Sequence, residues 1–191
     1  MGGDAPVVDA FWPGFVDLRW APHSACDWAA RVRSLPETTQ LPGLAAALKK
    51  LNAENSPVWT SKCDFWPVLQ PEDFDPDELD APPGSFTHAA GCYIDLLPKS
   101  EQQWQLPDEI ASSCKHLCMR LHDVPLSCCR ADLIIRRAFI APGMSGMGIT
   151  AYITACGPTP AGAARILEAA LAAFAQALCA QSTLQWEGTG E

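Results

Sequence analysis

Phe15-Val16-Asp17-Leu18 returns, conservatively changed, as Tyr93-Ile94-Asp95-Leu96 at an offset of 78 residues. In both copies an acid alternates with aliphatic neighbours, the period-two pattern of a strand with one buried face. A repeated unit restricts the architecture before any single residue does. Each copy is followed by residues at helical spacing and then by an extended run rich in Val, Ile, Trp or Phe, at 58–68 in the first half and 133–140 in the second. The halves 14–69 and 90–181 are therefore expected to be related β-α-β units within one domain, 1–191. The linker, 70–84, is dense in acids and prolines, too polar and too broken by Pro to form a core element.

Period and punctuation place strands at 15–20, 58–68, 92–97, 131–140 and 148–156, and helices at 26–35, 42–53 and 107–122. A last helix starts after Thr159, a capping residue, with Pro160 in its first turn and Ile166, Leu167, Leu171, Phe174 and Leu178 along one stripe. The fold class expected is α+β. It resembles the ferredoxin-like arrangement: a mainly antiparallel five-stranded sheet, built from two βαβ-type halves plus an extra hairpin strand, with helices packed on one face. The expected order across the sheet is second, third, first, fourth, fifth strand.

Alternation assigns Val16, Leu18, Ser61, Cys63, Phe65, Cys92, Ile94, Leu96, Ile149, Ala151 and Ile153 to the core side, together with Trp20 and Trp59. The opposite side collects Asp17, Arg19, Thr60, Lys62, Asp64, Tyr93, Asp95, Thr150, Tyr152 and Thr154, with Arg136 or Arg137 according to register. That surface is the candidate site for a small polar ligand, with Asp17, Lys62, Asp64, Tyr93, Asp95, Arg136, Thr150, Tyr152 and Thr154 as its residues. The bland explanation is a solvated sheet face with ordinary cross-strand ion pairs, or a dimer interface.

Three functions compete. The first is a binding or accessory protein that uses the polar face for a small polar molecule or for self-association as a homodimer, through that face or through the Ala-rich C-terminal helix. The second is an enzyme on a small anionic substrate, with Asp17 or Asp95 as general base and Lys62 with Arg136 as the anion clamp. The third is a metal-binding thiol protein, suggested by Cys114-x-His116-x-Cys118-x-x-x-His122. Cys114 and Cys118 fall on the apolar stripe of their helix, so no metal site and no cofactor are expected. Cys128 and Cys129 point to opposite sides of a strand, and Cys156, near a helix start, is the first candidate for a reactive thiol, although a strand-end cysteine packed under the helix is the favoured reading.

Thirteen basic against 22 acidic side chains give a net charge of −9, which repels phosphate backbones and anionic lipid, so neither nucleic acid nor membrane is an expected partner. The N-terminus has no basic segment followed by an apolar one, and a cytoplasmic location is expected. The nine cysteines are an odd number set in apolar patterns, as in a protein of reduced thiols.

Overall fold

The computed structural model of the chain describes residues 18, 25–68, 73–82, 84, 86–100, 104–141 and 144–180. Among the described residues, five α-helices and four strands follow one another: α1 Ala25–Arg33, α2 Pro36–Gln40, α3 Pro42–Leu51, β1 Val58–Val68, β2 His88–Pro98, α4 Pro107–His122, β3 Cys129–Ala141, β4 Met144–Gly157 and α5 Pro160–Cys179. Pro36 and Pro42 each sit in a first helical turn, where a missing N–H costs nothing. They divide the N-terminal helical stretch into three pieces instead of the two expected.

The four strands form one antiparallel sheet in the order β1-β2-β4-β3. Helices cover one face. The core cluster joins Trp28, Leu44, Leu48, Leu51, Ile110, Leu117, Leu167, Leu171 and Phe174 from the helices to Cys92, Ile94, Leu96, Ile149, Ala151 and Ile153 from the central strands. The expected α+β class, antiparallel sheet and one-sided helical layer are present. The expected order across the sheet is corrected, while the strand expected at 15–20 lies, Leu18 apart, outside the described residues. β2 is hydrogen-bonded to β1 on one edge and to β4 on the other, so β4 stands where the first strand was expected. Of that segment only Leu18 is described; it is buried in the core and its carbonyl accepts from Trp28 Nε1 at 3.0 Å.

A different repeat is visible in the sheet. Exchanging β1 with β3 and β2 with β4 reproduces the strand order in reverse, so the hairpins β1-β2 and β3-β4 are related by a pseudo-twofold axis between the central strands. One transverse row of the sheet reads Asp64, Tyr93, Tyr152, Asp132, the same in both directions. Lys62-Cys63-Asp64-Phe65 on β1 matches Arg130-Ala131-Asp132-Leu133 on β3.

The linker is not wholly exposed. Within it the 3-10 turn Asp77–Leu79 folds over one end of the helix-free face, burying Leu79 and Ala81 against Ala89, Cys128 and Cys156. Glu78 reaches Arg130 at 3.1 Å.

α5 is long and apolar enough to cross a membrane by length and composition, but half of it is buried, and it packs on β2, β4 and α3 as a core helix does. Its small residues, Ala163, Ala170, Ala175 and Ala177, are turned inward and let the helix lie close to the sheet. The two helices are also tied by polar contacts: Gly43 N–H donates to Glu168 Oε1 at 2.7 Å, and Lys50 Nζ bonds Gln176. Thr159 Oγ1 accepts from Gly162 N–H at 3.0 Å, satisfying one of the orphan donors of the first turn. Thr159→Ala is expected to lower the unfolding free energy by about 1 kcal/mol in urea denaturation, with an unchanged m-value.

Candidate functional site

Among the described residues, no α-helix covers the second face of the sheet. Its two ends are apolar: Leu79, Ala81, Ala89, Cys128 and Cys156 at one, Trp59, Leu97 and Ala138 at the other. Between them lie three polar or aromatic rows. The first is Trp66, Gly91, Thr154 and Arg130; the second is Asp64, Tyr93, Tyr152 and Asp132; the third is Asp95, Thr150 and Ile134. The third row is completed on β1 by a bulge. Thr60 faces Leu96 and Cys63 faces Ile94, so both Ser61 and Lys62 stand opposite Asp95.

The bulge corrects three assignments, one of them Ser61, which stands opposite Asp95 instead of on the core side. Thr60 points to the core, where it is buried, and Trp59 lies on the helix-free side. A residue inserted in one strand inverts the alternation on either side of it. The insertion is anchored by Asn52, the buried residue that ends α3. Asn52 Oδ1 accepts from Thr60 N–H at 3.0 Å, and Asn52 Nδ2 donates to Thr60 Oγ1 at 2.8 Å and to Leu48 O at 2.9 Å.

Asp95 is the centre of the face. It is 5% exposed, the hydroxyl of Thr150 donates to its Oδ1 at 2.5 Å, and the charges of Lys62 and Arg136 act on it from either side. Burial raises its pKa above the ordinary carboxyl value of 3.8; the Thr150 hydrogen bond and the two cations oppose that rise without cancelling it. Register resolves the choice between the two arginines in favour of Arg136, which faces Gly148 on the polar side and donates to Tyr152 Oη at 3.2 Å.

An aromatic ridge runs across the strands beside Asp95. The rings of Trp66 and Tyr93 lie 6.3 Å apart and those of Tyr93 and Tyr152 5.8 Å apart, both tilted, within the range in which such pairs attract. Gly91 makes the ridge possible. A Cβ there would come within 2.6 Å of Trp66 Cε2 and Cζ2, so the indole lies directly on the backbone of β2. Tyr93 is pushed up to about 12, first by burial and then by the neighbouring charges of Asp95 and Asp64, and it is a neutral phenol at physiological pH.

Lys62, Asp64, Tyr93, Asp95, Arg136, Thr150, Tyr152 and Thr154 thus share the helix-free face, whereas Asp17 lies outside the described residues. No thiol belongs to these rows. Cys114 is buried, while Cys118, His116 and His122 are exposed on α4, so Cys118 is not part of the buried stripe. Among the described residues no three His, Cys, Asp or Glu side chains converge as a metal site would need. Cys156, the foremost candidate among the thiols for reactivity but expected rather to pack at a strand end, is fully buried and pushed up to about 11 by burial and by Cys128 and Cys129. That environment disfavours the thiolate.

Asp132, Arg130 and Gly91 belong to the face and were not singled out from the sequence. The signal was present as Tyr93-Ile94 and Tyr152-Ile153, but the inner and outer strands repeat at different intervals. The first hairpin spans 69–87, whereas the second is closed by 142–143 alone. No protein-family model, curated protein or solved structure matches this chain.

Proposed function

We propose that the chain is a binding or accessory protein whose helix-free sheet face takes a small polar molecule. Its planar part would lie against Tyr93, Tyr152 and Trp66, and its polar groups would meet Asp95, Lys62 and Arg136. The observation that carries this proposal is Asp95, an acid held almost out of water on a sheet face that no α-helix covers among the described residues. Burying a carboxylate costs stability, and such groups concentrate where a protein binds or reacts. Solvated cross-strand ion pairs do not require a buried acid.

The cost gives a test with a definite sign. Because the folded-state pKa of Asp95 is raised, the stability due to its protonated form is fully present below 3.8 and is lost as pH rises through the raised value. Asp95→Asn keeps an oxygen for Thr150 and cannot ionise. It is expected to melt at the same temperature as the wild type in acid and higher than the wild type at neutral pH. The same substitution is expected to abolish ligand stabilisation. A ligand at a hundred times its Kd contributes about 2.7 kcal/mol, a rise of roughly 5–10 °C in Tm for a chain of this size, and the variant should show none of it. A variant that melts lower at neutral pH would make Asp95 a structural partner of Lys62 and Arg136 instead.

The raised pKa of Asp95 also favours a second proposal, a general base acting on a substrate whose anionic group is held by Lys62 and Arg136. The two separate on turnover: an enzyme would bind and convert its ligand with a rate that falls as Asp95 protonates, whereas a binding protein returns the ligand unchanged.

A further inference from the structure

We infer that the protein forms a twofold homodimer by antiparallel pairing of β3 with β3 of a second copy, centred on Ile134. The sheet has two edges, and they are unlike. β1 is blunted by the bulge at 61–62 and by Pro67, which has no N–H to donate, two of the devices that keep an edge from pairing. β3 has neither. It runs in regular register from Cys129 to Phe139 without a proline, and among the described residues it is hydrogen-bonded as a strand to β4 alone.

The sequence of that edge is complementary to itself. Cys156 N–H donates to Cys128 O in continuation of the β3-β4 register, so the even-numbered residues of β3 bond to β4. The backbone groups of residues 129, 131, 133, 135 and 137 point outward. A twofold axis at Ile134 then brings Leu133 opposite Ile135 of the second copy as a hydrogen-bonded pair. Ile134 meets its own copy at the closer, non-hydrogen-bonded spacing, and Ile134 is 42% exposed, an uncommon state for a large apolar residue in mid-strand. On the same face Asp132 comes opposite Arg136 of the second copy, twice by symmetry.

Other centres lack this match. With the axis at Leu133, Arg130 faces Arg136; at Asp132 or Arg136 each charge faces its own copy; at Ile135 neither Asp132 nor Arg136 meets a charge. An axis at Ala131 sets Arg130 opposite Asp132 but pairs only 129–133 and leaves Ile134 uncovered; like charges directly opposite are destabilising and opposite charges favourable, so charge together with the length of strand paired selects the centre that also buries Ile134. Asp132 accepts from Arg130 within its own chain at 2.7 Å, so in the dimer it would bridge two guanidinium groups. The product is one continuous eight-stranded sheet with its helix-free faces on the same side, an isologous interface. Arg136 is shared with the ligand proposed for that face, but the pairing of the two edges does not depend on that ligand.

Analytical ultracentrifugation of the full chain tests it through a charge exchange. The wild type is expected to be a dimer at micromolar concentration. Asp132→Arg alone and Arg136→Asp alone each set like charges opposite each other twice, and each is expected to weaken the dimer by roughly tenfold to a hundredfold. Mixed one to one, the two variants restore both opposite-charge pairs and are expected to form a heterodimer. Ile134→Lys, at an exposed position, provides a variant whose own fold is not at stake and should also be monomeric. A monomeric wild type overturns the inference, and so does a dimer that survives Ile134→Lys or a mixture that does not associate.

Discussion

Asn52→Ala is expected to lower the unfolding free energy by about 3 kcal/mol, measured by urea denaturation, because it strands buried groups on two elements at once. Thr60 N–H loses its acceptor, and Thr60 Oγ1 loses its donor, in a place where neither is open to water. Asn52→Asp separates the two functions of the side chain. It keeps an oxygen for Thr60 N–H but turns a second oxygen toward Leu48 O, where the amide now donates at 2.9 Å. It should therefore also destabilise, and no substitution at 52 without both a donor and an acceptor should match the wild type. The consequence extends to the face, since the bulge that sets Lys62 opposite Asp95 begins at the residue Asn52 holds. Ligand-dependent stabilisation should weaken in Asn52→Ala even where the protein remains folded.

Gly91→Ala is expected to displace the indole of Trp66 from the surface of β2. A Cβ 2.6 Å from two indole carbons cannot coexist with the present ring position, and of the groups in contact the ring is the one free to move. Overpacking together with the lost Trp66–Tyr93 pair should cost about 2 kcal/mol. The near-ultraviolet circular dichroism of the tryptophans should change while the far-ultraviolet spectrum does not. A ligand that lies on the ridge should bind less tightly to this variant, and one that lies only on the charged groups should not.

How much of this was legible in the sequence depended on how local the cause was. α5 could be placed from Thr159, Pro160 and its apolar stripe, because a helix with its cap is specified within one segment. The two sides of β2 and β4 could be separated for the same reason: neither strand contains a bulge in its mutual pairing, and period two holds throughout. β1 could not be sorted correctly across its whole length. Its alternation reverses at 61–62, and the cause of the reversal is Asn52 on another element.

Strand order was out of reach for a related reason. Tyr93-Ile94-Asp95-Leu96 resembles 15–18 in pattern, yet both edges of β2 are satisfied by β1 and β4, and pairing of that kind leaves no mark on either partner alone. The palindromic row of Asp64, Tyr93, Tyr152 and Asp132 arises only once two hairpins with unequal loops are brought side by side. The burial of Asp95 is likewise a product of the assembly. Alternation places its side chain on the polar face, but Thr150, Lys62 and Arg136 come from three other strands.

The central claim is that Asp95 and the aromatic ridge form a ligand site, and native mass spectrometry of wild type and Asp95→Asn, each compared with the same sample after denaturation, tests it most directly. The expected result is a small molecule retained by the folded wild type, released on denaturation and missing from the folded variant. Identical spectra for the two proteins, whether both bare or both carrying the same mass, would contradict it.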